Sequence, residues 1–168
     1  MGWRIDWAHT RIDAYVKFLR FITVRGEFRR ADVEFDFEGD DPTRWTVVAD
    51  VHADSLDSRE ERRDRKGRGP EYLDVERYPM INFRSKRVVS RDGRYDLVGD
   101  LTVHGVTREV VFDMSYNGEG ISNRSERLTR GFSAETVVKR SDFGIDAERD
   151  EPWTDDVHIV LEIAAAWE

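Results

Sequence analysis

Four histidines, no cysteine and many carboxylates set the chemistry open to this chain. Without cysteine there can be no disulfide, no thiolate metal site and no cysteine nucleophile. His9, His52, His104 and His158 are scattered, no two of them at ligand spacing, so the sequence predicts no metal centre and no cofactor. Asp36, Glu38 and Asp54 fall on polar faces or in loops, where solvation accounts for them. No Gly-x-Ser-x-Gly elbow places a nucleophile, and no acid and base are paired. The chain therefore reads as a protein with no catalytic residue of its own.

Two other patterns could carry function. The first is a basic stretch in which Arg59, Arg62, Arg63, Arg65, Lys66 and Arg68 outnumber Glu60, Glu61 and Asp64. Such a run is ordinarily a solvated face; its functional reading is a rim that meets anionic head groups, because guanidinium binds phosphate through a two-pronged fork. The second is an apolar stripe on alternate residues. Ile12, Ala14, Val16 and Phe18 open it, Phe35, Val47 and Val51 continue it, and Phe83, Leu101 and Phe112 follow. Phe132, Val138, Ile159 and Leu161 close it. Taken from the residues alone, this stripe packs on itself, as in most small barrels.

The elements that must position the stripe are strands, because the period is two residues. Eight runs are read: 12–18, 33–37, 45–53, 81–85, 95–103, 110–114, 132–138 and 157–165. A turn is expected at His104-Gly105 and a loop from Asn117-Gly118. One short helix is expected near residues 57–66, capped by Asp57 or Ser58. An even number of strands with short links predicts an all-β, eight-stranded antiparallel up-and-down barrel over a sandwich, in one domain spanning 1–168.

Composition narrows the partners. Hydrophobic residues are 39% of the 168-residue chain, enough for a core, and the net charge of -8 argues against nucleic acid. No segment has the length of a membrane span, and the start lacks the apolar run of a secretory leader. The expected location is the cytoplasm, or the periplasm if a leader has been removed. Tyr15, Val111 and Val137 are apolar positions on the outward phase through which two copies could pair as a homodimer.

Several segments resemble the YceI-like polyisoprenoid-binding family. They are Trp3-Arg4-Ile5-Asp6 with Ala8-His9-Thr10, Val24-Arg25-Gly26-Glu27-Phe28, and Asp74-Val75-Glu76-Arg77-Tyr78-Pro79 leading into Ile81-Asn82-Phe83-Arg84-Ser85. Leu101-Thr102-Val103-His104-Gly105-Val106-Thr107-Arg108, Arg140-Ser141-Asp142-Phe143-Gly144-Ile145 and Asp155-Asp156-Val157 follow in the same order, so the resemblance spans the chain. It implies an extended lipocalin-like barrel whose interior stays open for a long isoprenoid tail, such as that of an isoprenoid quinone. The stripe then becomes the ligand-binding wall, and the cargo is carried, stored or sequestered. Transient contact with a membrane surface would accompany loading. A hydrolase or isomerase acting on such a lipid, or a filled barrel used as a protein-interaction module, are the alternatives. In that setting His9 and His104 would fix strand ends by hydrogen bonds. Two positions depart from the family pattern: Phe18 stands where it implies a histidine, and Arg63-Asp64 runs on to Arg65-Lys66-Gly67 where it implies Arg-Asp-x-His-Leu.

Overall fold

The computed structural model describes residues 1–145 and 152–168. Its strands are β1 (Trp3–Ile5), β2 (Arg11–Phe18), β3 (Ile22–Phe28), β4 (Ala31–Asp36), β5 (Thr46–His52) and β6 (Leu56–Asp57), followed by helix α1 (Glu61–Arg68). Then come β7 (Met80–Arg91), β8 (Arg94–Val103), β9 (Val106–Ile121), β10 (Leu128–Lys139) and β11 (Asp156–Trp167). All pair antiparallel in one sheet ordered β4-β5-β7-β8-β9-β10-β11-β2-β3-β6, with β1 on β11.

The all-β class and the single helix agree with expectation, but the described residues form eleven strands, not eight, in a curled half-barrel. From β7 to β11 the chain is the expected meander. It departs from an up-and-down barrel at β3 and β4, which are consecutive in sequence yet not paired, so the ladder ends at β4 and β6. β1 and β6 are too short to show a period. β3 does alternate, as Ile22, Val24, Gly26 and Phe28, but the turn before it is Leu19-Arg20-Phe21, without the glycine or asparagine that marks a turn.

Helix α1 also starts later than expected. Asp57 is in β6 and accepts from Arg59 N–H, while Ser58 donates its N–H to the Asp64 carboxylate at 2.9 Å. Glu60 caps instead, accepting from the N–H groups of Arg62 and Arg63. The loop expected from Asn117-Gly118 is strand: Gly118 lies opposite Gly131, and the register slips between Gly131 and Phe132. Gly118 has φ 130, so the glycine serves a bulge and the turn comes after Ile121. The His104-Gly105 turn is present, with both residues at positive φ.

The inward phase is set by register. Phe83 faces Ala49 on one side and Leu101 on the other. Its ring lies over Gly99, where an added Cβ would come within 2.5 Å of Phe83 Cζ and of Arg84 O. Only glycine leaves room for that ring. Val111 and Val137 are exposed on the outer face and Tyr15 is half-buried. Among the described residues no helix is long and apolar enough to cross a membrane.

Candidate functional site: an apolar cavity with two unlike ends

The curl of the sheet encloses a cavity of about 1070 Å³. All fourteen residues of the predicted stripe lie on its wall, brought together from eight of the strands. Several wall residues escaped the sequence reading. Val24 and Phe28 sit on the overlooked β3, and Tyr72 and Trp153 lie outside the strands, where period two gives no signal. Phe37 and Trp45, one residue beyond β4 and β5, continue the runs 33–37 and 45–53 but are not assigned to the predicted stripe.

One end is aromatic. Phe37 packs on Trp45 and Phe132 with ring centroids 5.0 and 5.3 Å apart, and Trp45 meets Tyr116 edge-on at 5.1 Å. Behind these rings Arg130, only 6% exposed, places its guanidinium 4.6 Å from Trp45, 4.8 Å from Trp3 and 5.6 Å from Phe37. The rings offer their negative faces to the cation. Arg130 Nε donates to Glu119 at 3.1 Å and Nη2 lies 3.5 Å from Asp40, whereas Nη1 is buried with no hydrogen-bond partner among the described residues. Burial, reinforced by Glu119, pushes the Tyr116 phenol above its ordinary value.

The other end is polar-rimmed. Arg62, Arg63, Lys66 and Arg140 line the cavity there beside Phe18, whose ring centroid is 5.0 Å from that of Trp153. The buried Asp64 carboxylate accepts from Ser58 N–H and Oγ–H. Arg63 donates to Ser58 Oγ and to its carbonyl, both at 2.7 Å. Ser58, Arg63 and Asp64 thus form one closed network that fixes the start of α1. Arg140 donates to the Trp153 carbonyl at 3.2 Å and lies over the Tyr72 ring. Asp155 accepts from Ser141 N–H at 2.9 Å and Oγ–H at 2.6 Å. Burial alone would raise its pKa, but these bonds, with Lys139 and Arg140 nearby, hold it below the ordinary carboxylate value. On the β2 wall Asp13 goes the other way: burial outweighs Arg11 and raises it.

The histidines stand apart from one another. His9 Nδ1 lies 2.8 Å from Asp6, at the corner between β1 and β2, which fits the expected strand-end role. His104 instead makes a ring contact with Tyr78 at 4.7 Å, because the left-handed backbone of the turn brings the two rings together. His52 pairs with Asp32 and His158 is exposed. Among the described residues no three His, Asp or Glu side chains are grouped to hold a metal.

Comparison with known proteins agrees with this architecture. The family model described as the YceI-like domain matches residues 3–165. A UPF0312 protein of Pseudomonas putida is 34% identical over 156 residues, covering 92% of this chain and 80% of its own. A UPF0312 protein of Vibrio cholerae is 32% identical over 139 residues, covering 82% and 73%. The crystal structure of BcnA from Burkholderia cenocepacia superposes with a TM-score of 0.85 at 19% identity, covering 96% of this chain and 99% of that one. A Saccharophagus degradans structure, described as a polyisoprenoid binding domain implicated in plant cell wall breakdown, superposes at 0.73 with 11% identity, over 100% and 99% of the two chains. With a family match along nearly its whole length, the chain belongs to the YceI-like family.

Proposed function

We propose that this protein binds a long-chain isoprenoid lipid, an isoprenoid quinone or polyprenyl chain, with its tail along the cavity, and that it carries, stores or sequesters that lipid without chemical change. The cavity supports this reading: its wall is apolar between an aromatic end and a polar rim. Each methylene withdrawn from water contributes about 0.8 kcal/mol, so a tail enclosed along several strands is held tightly without polar contacts. The polyisoprenoid-binding description of the Saccharophagus neighbour points the same way. Ser58, one of the hydroxyls on the rim, is engaged by Asp64 and Arg63, an arrangement suited to fixing α1.

The test is mass spectrometry of an organic extract from gently purified protein, wild type beside Val138→Glu. Val138 lies on the cavity wall opposite Val157. An unpaired carboxylate there costs several kcal/mol to bury beneath a tail, so it excludes the tail. The expected outcome is a folded variant with a modestly lowered melting temperature and no prenyl lipid, against a wild type that carries one. The same lipid at full occupancy in folded Val138→Glu would refute this ligand path.

A further inference from the structure

The hairpin joining β2 to β3 sits at the polar-rimmed end and is built against ordinary turn chemistry. Phe18 pairs with Ile22, and Phe21 N–H donates to the Phe18 carbonyl at 3.3 Å. Leu19 and Arg20 between them take φ 52 and 71. Two successive left-handed residues favour Asn-Gly, and side-chain-bearing Leu-Arg is strained there. The turn nevertheless keeps a leucine and an arginine and holds them outward. Leu19 is 47% exposed, Phe21 73% and Ile22 43%. Among the described residues no other four-residue stretch has more than one large hydrophobic residue so exposed. The remaining examples, such as Val89, Val111 and Val160, stand singly, as on most protein surfaces.

The apolar surface of this tip is continuous with the cavity, because Phe18 and Ile22, on either side of the turn, both line it. The tip is also anchored: Leu19 N–H donates to the Pro152 carbonyl at 2.8 Å and Lys17 N–H to Thr154 Oγ1 at 3.1 Å. Arg20 on the tip and Arg62 on α1 are exposed, and neither is paired with a carboxylate among the described residues. A greasy, rigid, cation-flanked projection at the opening of a lipid-sized cavity matches the surface of an anionic bilayer. There the apolar side chains reach the acyl boundary and guanidinium meets phosphate.

We propose that the β2–β3 tip is a membrane-docking element, with Leu19, Phe21 and Ile22 entering the interface and Arg20 and Arg62 contacting head groups, so that the cavity opens directly onto lipid. This deepens the lipid-binding reading and rests on it for what passes through the opening. Affinity comes chiefly from the apolar residues, and the arginines add a bias toward anionic lipid.

The chain has no cysteine, so Phe21→Cys and Val111→Cys each accept a single environment-sensitive fluorophore. With vesicles of phosphatidylcholine containing about a third phosphatidylglycerol, the label at position 21 shifts to the blue and the label at 111, on the outer face, does not. In flotation with the same vesicles, Leu19→Ser/Phe21→Ser binds about tenfold more weakly than wild type, while circular dichroism is unchanged. Pure phosphatidylcholine lowers wild-type binding only a few-fold. An unshifted label at 21, or equal flotation of wild type and the double variant, overturns the proposal. The lipid extract is read separately. A prenyl lipid in the wild type together with an unshifted label leaves the cargo reading standing and removes docking. A lipid-free wild type with a shifted label and a weakened double variant does the reverse.

Discussion

At the aromatic end of the cavity Trp3, Phe37 and Trp45 surround a buried arginine; at the other end Arg62, Lys66 and Arg140 stand at a rim beside an exposed hairpin tip. Both ends contain arginines and aromatic rings, but in opposite arrangements. Arg130 lies inside a box of rings and is shielded from water by them, so removing it breaks packing. Arg62 projects from α1 into solvent, so removing it changes only charge. One end is a plug and the other an opening, and the same residue types do both jobs because burial decides what each contributes.

The same substitution made at both ends tests this difference most strongly. Phe132 is buried within the aromatic cluster and Phe18 is half-buried against Trp153. Phe132→Ala leaves a cavity in packed rings and is expected to cost about 3–5 kcal/mol, a fall in melting temperature on the order of 10 °C. Phe18→Ala removes a ring from the edge of an existing opening and is expected to cost about 1–2 kcal/mol. Equal losses in paired thermal scans would mean that both ends are packed alike.

A smaller effect separates the two arginines. Arg130→Gln removes the guanidinium from three ring faces together with its contacts to Glu119 and Asp40. The expected loss is about 1–3 kcal/mol, moderated because Nη1 has no partner to lose. Arg62→Gln should change stability by less than about 0.5 kcal/mol. Urea midpoints check both, and a neutral Arg130→Gln would show that ring packing alone closes the plug.

The wall of the cavity was legible in the sequence and its ends were not, for a physical reason. A wall residue announces itself through its neighbours two positions away, so Ile12, Ala14, Val16 and Phe18 can be assigned to one face before any fold is known. The aromatic end is assembled from Trp3, Phe37, Trp45, Tyr116 and Arg130, which lie far apart in the chain and share no local spacing. Arg130 in particular stands in a polar-looking Arg-Leu-Thr-Arg segment, and nothing local distinguishes its buried guanidinium from that of exposed Arg127. β3 was hidden by the chemistry of its own turn, since Leu19-Arg20 carries no turn signal while adopting a glycine-like backbone. Asn117-Gly118 failed in the opposite direction: the glycine's freedom is used in a bulge, and the strand continues.

The ends also differ in how they respond to pH. Tyr116 at the aromatic end is raised from 10.0 chiefly by burial, so its contribution is full below pH 10.0 and is lost as pH rises through the raised value. Alkali should therefore narrow the stability advantage of wild type over Tyr116→Phe.

Asp155 at the rim is lowered from 3.8, because its hydrogen bonds from Ser141 outweigh burial. A carboxylate depressed in the folded state contributes stability that is full at pH well above 3.8. That contribution is lost as pH falls through the lowered value, when protonation takes the charge from the Ser141 N–H and Oγ–H bonds. Asp155→Asn has no such titration. At neutral pH wild type should exceed it by less than about 1 kcal/mol, since the carboxylate is only half-buried and partly screened. The difference between their urea midpoints should shrink as the pH falls below 3.8. A label at Val138→Cys should register the same loosening at the rim, while Trp45 and its neighbours at the plug keep their near-ultraviolet dichroism. A difference that stays constant through that acid range would remove Asp155 as a clamp on the Arg140–Phe143 turn, and the opening would then owe its shape to the Ser58, Arg63 and Asp64 network alone.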